Sequence, residues 1–415
     1  MRPASLSWTL FAAAIVAFAG LSSASVSARV GRLADQTIGC SAHCVRDHRD
    51  AQGRSAGEFP AETVRASAAS AAWKTEPIAG QGRKGILEGV SCVTSSACIA
   101  VGYADSYNAL VENWNATRWA MAPDIDSDGK SQLFAVSCSS VTACTAVGLD
   151  GQDQLIAQWN GALWTTQTTP SSVSLRGVSC VSSTMCVAVG FRGLNRPAAE
   201  LWNGAGWKVE PTPSLSRTRY AQSALYGVSC ASPTACTAVG FRTDSDGNTG
   251  PLAERWNGTG WKLQSTRTSL GPASQLLGLS CVSTIDCTAV GFYGPPEDDS
   301  PADVPMAARW NGKGWRIDRA AGSGFDLSSV SCVSAAACTA VGGGSASGGS
   351  VHVEAWNGKR WTLQANPATG RLGGALTSVS CTAPMECTAV GYLPFQNEAL
   401  AEHEGGVSTT GLPIS

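Results

Sequence analysis

The chain has 415 residues, only 14% of them are charged, and the formal net charge is -2. Charged residues make up roughly 25% of a typical soluble chain, so the surface must consist largely of Ser, Thr, Asn, Gln and Gly. The sequence has no basic run and so lacks the electrostatic surface that nucleic-acid binding normally requires, and we expect no nucleic-acid partner.

Residues 1–28 predict a signal peptide. Arg2 precedes a mostly apolar stretch over residues 6–21, and the small residues that follow end in Val26-Ser27-Ala28, a pattern typical of a cleavage site. An uncleaved membrane anchor is the alternative, although the stretch is shorter than the roughly 20 apolar residues that span a bilayer. We therefore expect a secreted protein with no membrane span after cleavage, in a compartment that permits disulfides.

Residues 29–70 predict a flexible leader, because they show no sustained hydrophobic period. A local disulfide between Cys40 and Cys44 is favoured. Zinc binding by these cysteines with His43 and His48 is the alternative, although four ligands within nine residues would be cramped for a tetrahedral site.

One phrase occurs seven times over residues 71–406. Residues 407–415 follow it as a C-terminal tail. The fourth copy reads Gly227-Val-Ser-Cys230, five spacer residues, then Cys236-Thr-Ala-Val-Gly240. The first cysteines lie 42 to 51 residues apart, a period typical of propellers and solenoids. The pairs are Cys92 with Cys98, Cys138 with Cys144, Cys180 with Cys186, Cys230 with Cys236, Cys281 with Cys287, Cys332 with Cys338, and Cys381 with Cys387.

The fourth copy predicts four strands in each unit. Residues 225–230 and 236–241 are β-rich runs around a turn, and a variable loop leads to a third run over 252–256. Asn257-Gly258 then turns the chain into a fourth run over 261–264, because these residues accept positive φ. The prediction is an all-β fold, a seven-bladed β-propeller of four-stranded antiparallel blades, with small residues near the axis and paired tryptophans outside.

The seventh unit lacks a fourth run. Residues 398–403 match the third strand, with His403 where tryptophan would stand, and Ala72-Trp73-Lys74 matches the start of a fourth strand. We therefore predict that the N-terminal strand completes the last blade and closes the ring. A closed ring leaves only short, protected edges, so we expect a monomer.

The seven cysteine pairs predict one structural disulfide per blade, each worth roughly 2 kcal/mol. Seven zinc sites would each need two further ligands, and the chain has four histidines, none of which repeats with the unit. Redox catalysis is disfavoured, because C-x5-C lacks the compact C-x-x-C geometry that activates a thiolate.

The phrase Val-Ser-Cys-x5-Cys-x-Ala-Val-Gly, followed by Trp-Asn-Gly-x-x-Trp, resembles a family of secreted repeat proteins, mostly from actinobacteria, over roughly residues 72–405. The resemblance implies a propeller of kelch-like or sialidase-like outline and implies no activity. The sialidase Asp-box is not reproduced, because Trp256 stands where its Asp would be, and the marks of WD40 repeats are absent.

Two sets of positions are candidates for ligand binding. The loops between strands two and three vary from copy to copy, which is typical of a recognition surface but also of unselected drift. Each first strand also holds one variable position in the otherwise repeated phrase Leu-x-small-Val/Leu-Ser-Cys, near the entrance of the central channel. These side chains either face a ligand or pack between blades, and the ligand-binding candidates are Glu88, Arg176, Tyr226 and Phe134.

Asp124-Ile-Asp126-Ser-Asp128-Gly129 matches the first half of a calcium-binding loop. The twelfth position is Ala135 rather than Glu, so the bidentate ligand is missing. Asp124, Asp126 and Asp128 are therefore candidate ligands of a calcium ion. An ordinary solvated acidic turn is the favoured interpretation. No other cofactor is predicted.

The sequence therefore predicts a secreted, disulfide-stapled propeller that acts as an extracellular binding module, with a glycan or protein ligand on its variable top-face loops. A polysaccharide hydrolase or lyase is one alternative and would need two or three carboxylates or an Arg cluster in one pocket. A structural cell-envelope protein is the other. No repeated catalytic constellation is visible, and no catalytic residue is predicted.

Overall fold

The computed structural model describes residues 73–79, 84–104, 108–123, 125, 130–169, 172–193, 196–213, 222–244, 247–266, 273–294, 304–343, 350–366, 374–393 and 398–405. All of them belong to one compact unit, Ser70–Ser415. The predicted signal peptide, the leader with Cys40 and Cys44, and the C-terminal tail lie outside these residues.

The described residues form 28 β-strands and no helix, which confirms the all-β class. The strands are arranged in four-stranded antiparallel blades. Blade 1 comprises β2 (Gly85–Thr94), β3 (Ala97–Ala104), β4 (Asn108–Trp114) and β5 (Trp119–Met121); blade 2, β6 (Ser131–Ser140), β7 (Ala143–Asp150), β8 (Asp153–Trp159) and β9 (Trp164–Thr166); blade 3, β10 (Ser174–Ser182), β11 (Met185–Arg192), β12 (Arg196–Trp202) and β13 (Trp207–Glu210); blade 4, β14 (Ser223–Ser232), β15 (Ala235–Thr243), β16 (Thr249–Trp256) and β17 (Trp261–Leu263); blade 5, β18 (Ala273–Cys281), β19 (Cys287–Gly294), β20 (Val304–Trp310) and β21 (Trp315–Arg319); blade 6, β22 (Asp326–Ser334), β23 (Ala337–Gly343), β24 (Val351–Trp356) and β25 (Trp361–Leu363); and blade 7, β26 (Ala375–Ala383), β27 (Glu386–Leu393), β28 (Glu398–Glu404) and β1 (Trp73–Glu76).

Strand β1 pairs antiparallel with β28, with Trp73 opposite Glu404. Glu404 also lies opposite Cys387, as Trp256 lies opposite Cys236 in blade 4. The expectation that His403 takes the tryptophan position is therefore wrong by one residue, because β28 pairs one residue further than the match assumed. His403 instead stacks on Trp114 of blade 1, with ring centroids 6.1 Å apart.

A circle of hydrogen bonds links the innermost strands of the blades. In each blade the backbone N–H of the first cysteine donates to the hydroxyl of the serine that precedes the first cysteine of the neighbouring blade, at 2.9 to 3.0 Å. The series returns to its start, since Cys92 N donates to Ser380 Oγ at 3.0 Å. Each bond satisfies a backbone donor that would otherwise be unpaired beside the axis. The donor–acceptor pairs are Cys138–Ser91, Cys180–Ser137, Cys230–Ser179, Cys281–Ser229, Cys332–Ser280, Cys381–Ser331 and Cys92–Ser380.

All seven predicted disulfides within the repeats are formed, and each joins directly opposed residues of the first and second strands of its blade. These cysteines are therefore bonded to one another rather than free to hold a metal or to act as thiolates. Disulfides of this density are typical of extracellular proteins. The bonded pairs are Cys92 with Cys98, Cys138 with Cys144, Cys180 with Cys186, Cys230 with Cys236, Cys281 with Cys287, Cys332 with Cys338, and Cys381 with Cys387.

The second cysteine of each disulfide is buried, although the sequence does not distinguish it from the first. Cys98 and Cys144 are each 3% exposed, Cys186 is 1% exposed and Cys338 is 4% exposed. Sulfurs of the second cysteines also lie against threonine hydroxyls of adjacent blades. Cys98 Sγ lies 3.7 Å from Thr388 Oγ1, Cys186 Sγ 3.6 Å from Thr145 Oγ1, and Cys338 Sγ 3.8 Å from Thr288 Oγ1. These disulfides therefore pack between blades as well as closing a hairpin within each blade.

Each blade contains a β-bulge in its first strand, and the repeated glycine of Ala-Val-Gly lies beside it. In blade 4 the register shifts between Leu225 and Gly227, which leaves Tyr226 without a partner in the ladder. A Cβ on Gly240 would lie 1.9 Å from the backbone oxygen of Ala224. Only glycine therefore permits the close approach of the two strands at the bulge. The equivalent glycines are Gly102, Gly148, Gly190, Gly291, Gly342 and Gly391.

The outer hairpins form around Asn-Gly turns, as the sequence predicts. Asn257 Oδ1 accepts hydrogen bonds from Thr259 N and Gly260 N, both at 3.0 Å, and Gly258 has a φ of +92°. The turn brings Trp256 opposite Trp261, with ring centroids 5.9 Å apart. Blade 1 places Ala116 at the glycine position with a φ of 72°, the left-handed region that costs a residue with a Cβ about 1 kcal/mol.

Five blades carry a completely buried glutamate in the third strand, which the sequence analysis did not single out. In three of them the carboxylate accepts a hydrogen bond from the blade or linker before it, for example Glu200 Oε2 from Gln154 Nε2 at 2.8 Å and Glu354 Oε2 from Ala321 N at 2.9 Å. Glu402 accepts one from the amide of Asn366. These bonds attach blades 3, 6 and 7 to the part of the chain that precedes each of them. The buried glutamates are Glu112, Glu200, Glu254, Glu354 and Glu402.

Glu254 differs from the other buried glutamates in its electrostatics. It is 0% exposed, and neither carboxyl oxygen has a hydrogen-bond partner in the described part of the chain. Burial disfavours the charged form and raises the pKa of Glu254 to about 8. The side chain is therefore protonated in the folded protein at neutral pH.

Replacing Gly240 with alanine should destabilise the protein by about 3 kcal/mol, because the new methyl group meets backbone rather than a movable side chain. The control is Gly250→Ala in the same blade, where a Cβ would meet no atom within 4 Å. That control should change the free energy of unfolding by less than about 0.5 kcal/mol, measured by denaturant unfolding followed by tryptophan fluorescence. Similar changes in the two variants would show that the bulge does not require glycine.

Glu254 should make the fold less stable as the pH rises. The folded state holds a proton that the unfolded chain releases above its ordinary pKa of 4.5, so this contribution is lost between about pH 4.5 and pH 8. Glu254→Gln should match the wild type near pH 4.5 and exceed its unfolding free energy at pH 9, by on the order of 4 kcal/mol. The exposed Glu398→Gln is the control, and an unchanged pH dependence in Glu254→Gln would contradict the assignment.

Candidate functional site

Seven side chains, one from each bulge, form a ring around the axis. The innermost strands contact one another in the cyclic order β2, β6, β10, β14, β18, β22, β26 and back to β2. The bulges lie toward the end of these strands where the chain enters each blade, and the disulfide hairpins lie at the opposite end. We refer to these side chains as the bulge ring: Glu88, Phe134, Arg176, Tyr226, Leu277, Ser328 and Thr377.

The bulge ring brings the four predicted ligand-binding residues together from blades 1 to 4. Cζ of Arg176 lies 4.2 Å from the ring centroid of Phe134 and 5.6 Å from that of Phe191. Tyr226 stacks on Phe241, with centroids 5.8 Å apart. The guanidinium of Arg176 thus stacks on one aromatic ring and lies near a second, next to a tyrosine, which makes a polar centre within an apolar surface.

Glu88 is the carboxylate of the bulge ring. Part of its surface is accessible, but the surrounding protein desolvates the carboxyl group and raises its pKa to about 7, while the charge of Arg176 acts in the opposite direction. No salt bridge joins Glu88 to Arg176 among the described contacts. Glu88 is therefore close to half-protonated at neutral pH, as acid–base and switch groups often are.

Arg176 is held in a poorly solvated position without a hydrogen bond on Nε. Burial lowers its pKa, and the nearby Tyr226, Glu88 and Tyr103 act to raise it. Burial also raises the pKa of Tyr226. A buried guanidinium N–H without a partner is costly, so an acceptor brought to Nε would stabilise Arg176.

The other three members of the bulge ring are neutral. Leu277 and Ser328 come from blades 5 and 6. Thr377 Oγ1 lies 2.6 Å from Leu87 O and 3.1 Å from Val390 O, so its hydroxyl bonds to the backbone. Charge and aromatic surface therefore belong to one side of the ring.

Sequence reasoning missed a second set of aromatic residues, four of which interact with the bulge ring: Phe191 and Phe241 through ring contacts, Tyr103 and Tyr392 electrostatically. The residue after Ala-Val-Gly is aromatic in five copies, and that recurrence next to an invariant phrase was the available signal. Burial raises the pKa of Tyr392, and the charges of Glu88 and Asp326 raise it further. The five residues are Tyr103, Phe191, Phe241, Phe292 and Tyr392.

The predicted calcium ligands Asp124, Asp126 and Asp128 lie outside the described residues, as do most of the variable loops between strands two and three. Calcium binding therefore stays a prediction. Within the ranges given above, no cluster of three or more His, Cys, Asp or Glu could hold a metal ion. The part of the chain that the structure describes also contains no helical segment that could span a bilayer.

A cavity of about 150 Å³ lies between blades 5 and 6, at the end where the disulfide hairpins lie. Its two arginines are already paired: Arg309 bonds to Asp318, and Arg316 Nε lies 3.4 Å from the same carboxylate. None of the bulge-ring residues lines it. The bulge ring is therefore the better candidate, because Arg176 has an edge without an acceptor.

Comparisons with solved structures show the propeller fold. YCF48 bound to D1 peptide is 11% identical, with a TM-score of 0.55 over 82% of this chain and 97% of that one. The WD40 propeller domain of Doa1 is 12% identical, with a TM-score of 0.52 over 81% and 96%. An inactive virginiamycin B lyase from Staphylococcus aureus with quinupristin is 7% identical, with a TM-score of 0.55 over 80% and 99%.

No protein-family model and no curated protein matches the chain. The resemblance to secreted actinobacterial repeat proteins therefore stays a prediction. What the structural neighbours share with this chain is the arrangement of blades.

Replacing Arg176 with glutamine should raise the pKa of Glu88 further above its wild-type value of about 7, because the positive charge that opposes burial is removed. The carboxyl ¹³C resonance of Glu88, followed in an NMR titration, measures this change. Arg192→Gln, an exposed site on the next strand of the same blade, is the control and should leave the midpoint in place. An unchanged or lower midpoint in Arg176→Gln would show that the two charges are not coupled.

Proposed function

We propose that this chain is a protein-interaction module that binds a peptide segment of its partner at the bulge ring. The observation that carries the proposal is that Glu88, Phe134, Arg176 and Tyr226 converge from four separate blades, with Arg176 Nε left without a hydrogen bond. Polar groups with unused bonding capacity, set among aromatic rings, are typical of peptide and small-ligand sites. The structure of the propeller YCF48 bound to D1 peptide is consistent with this proposal.

The proposal includes a secreted, monomeric protein whose ring is closed by its N-terminal strand. Seven disulfides support an oxidising compartment. The pairing of β1 with β28 and the hydrogen bond from Cys92 N to Ser380 Oγ support closure. A closed ring leaves little strand edge for addition of a second chain, which supports a monomer.

A peptide is favoured over a glycan because the site combines a stacked arginine with several aromatic rings, and Glu88 is the only carboxylate among the bulge-ring residues. An enzyme of the hydrolase or lyase class would use Glu88 as its acid or base and would need further groups positioned on a scissile bond. Glycan binding through the variable loops and a structural role in the envelope stay as alternatives.

The test is selection of a phage-displayed random peptide library on the protein lacking its first 28 residues. Selected peptides should bind at least tenfold more weakly to Arg176→Ala, and with unchanged affinity to Thr184→Ala, an exposed site at a disulfide hairpin. Thermal unfolding of both variants checks that each is folded.

A glycan array and a polysaccharide turnover assay are run with the same protein. If the selected peptides bind Arg176→Ala and the wild type with equal affinity, the bulge ring is not their binding site. Product release from a polysaccharide would show that the protein is an enzyme and would contradict the binding-module proposal.

A further inference from the structure

We propose that Arg176 binds a carboxylate group of the partner peptide, so that the bulge ring recognises an acidic residue or a chain terminus next to an apolar side chain. This inference rests on the proposed function and names the chemical group that the site takes. It is carried by a comparison of two arginines within the same molecule.

Arg309 shows what a stacked arginine of this fold binds. Its Cζ lies 4.1 Å from the ring centroid of Trp356, and its Nε donates to the carboxylate of Asp318. The aromatic ring covers the face of the guanidinium, and the carboxylate occupies its edge. The cation is therefore satisfied in both directions.

Arg176 has the first of these two contacts and lacks the second. Its Cζ lies 4.2 Å above Phe134, a stacking distance like that of Arg309 on Trp356, yet Nε has no acceptor. Glu88 is near enough to influence its charge but forms no salt bridge with it. A planar guanidinium with one face covered directs its free N–H groups along its edge, and the group that matches this edge best is a carboxylate.

The groups around Arg176 indicate which peptide residue should lie next to the bound carboxylate. Phe134 and Phe191 present apolar surface beside it, and the buried Phe241 supports the ring of Tyr226. The hydroxyl group of Tyr226 stays neutral at physiological pH, because burial raises its pKa. An apolar or aromatic residue adjacent to the carboxylate would bury against these rings, whereas a fully polar anion would leave them exposed.

Glu88 makes the binding depend on pH. The charged and titratable groups that act on Glu88 and its neighbours are Arg176, Tyr103, Tyr226, Tyr392 and Asp326. An ionised Glu88 repels a second carboxylate, whereas its protonated form does not and can donate a hydrogen bond to it. Since the pKa of Glu88 is about 7, binding should be tighter at pH 6 than at pH 8, with proton uptake on binding.

The experiment uses four short acetylated peptides and the ¹⁵N-labelled protein lacking residues 1–28. One pair ends in phenylalanine, either as the free acid or as the amide, and tests the chain terminus. The other pair is amidated at the end and carries glutamate or glutamine before phenylalanine, which tests the side chain. Binding is followed at the Nε–Hε resonance of Arg176, assigned by its loss in Arg176→Lys.

In at least one pair the carboxylate peptide should bind at least tenfold more tightly than its neutral match, and that pair identifies the source of the carboxylate. Arg176→Lys, which keeps the charge but loses the planar edge, should weaken this peptide at least tenfold. The affinity should fall about tenfold from pH 6 to pH 8. Glu88→Gln should abolish that fall, and Glu404→Gln should preserve it, because Glu404 has a similar pKa of about 7 but lies in the outer part of blade 7.

Equal binding of acid and neutral peptides would overturn the inference, and so would competition by inorganic phosphate as strong as that of the peptide. Suppose that library peptides lose affinity for Arg176→Ala but bind equally well as free acids and as amides. That result would refute recognition of a carboxylate and would leave the proposed function standing. No shift of the Arg176 resonance with any of the four peptides would refute the inference, and the library selection would then decide the proposed function by itself.

Discussion

The constraint on which the structure depends is the hydrogen bond between the innermost strands of adjacent blades. A serine hydroxyl of one blade accepts the N–H of the next blade's first cysteine, as Ser229 accepts Cys281 N at 2.9 Å. The serine precedes a cysteine whose disulfide closes the hairpin within the blade. One Ser-Cys dipeptide therefore supplies both the covalent bond within a blade and the hydrogen bonds to its two neighbours. Wedge-shaped packing by the tryptophans and the linker contacts of the buried glutamates then follow from blades held at constant spacing.

Along the same strands, the bulge changes the direction of one side chain per blade. The glycine of Ala-Val-Gly makes the bulge possible, because a Cβ on Gly240 would collide with the backbone of β14. The backbone of the bulge is thus fixed by glycine, while the bulged residue itself has no partner in the ladder. Arg176, Glu88 and their neighbours can differ in chemistry for that reason.

Much of this architecture is readable from the sequence, because cysteine pairs, Asn-Gly turns and paired tryptophans each have a strong local meaning. The variable position of the first strand was also identifiable, since only it changes within a repeated phrase. The bulge was not, because it depends on the approach of two strands. The buried glutamates were missed for a different reason: Glu254 shares its face of the strand with the buried Leu252 and Trp256, but a glutamate is rarely expected in a core position. The register of β28 was misplaced by one residue because a strand without its tryptophan offers no anchor for the match.

The bulge-ring residues vary from blade to blade, whereas the cysteines, serines and tryptophans that hold the blades together are repeated. Seven sites, each on its own blade, contribute one side chain to a common surface, and none of them is needed for the cysteine, serine or tryptophan contacts. A repertoire of different specificities is thus accessible by exchanging single residues on an unaltered framework. Single exchanges at these positions therefore alter the chemistry of the common surface and leave the contacts of the repeated cysteines, serines and tryptophans in place.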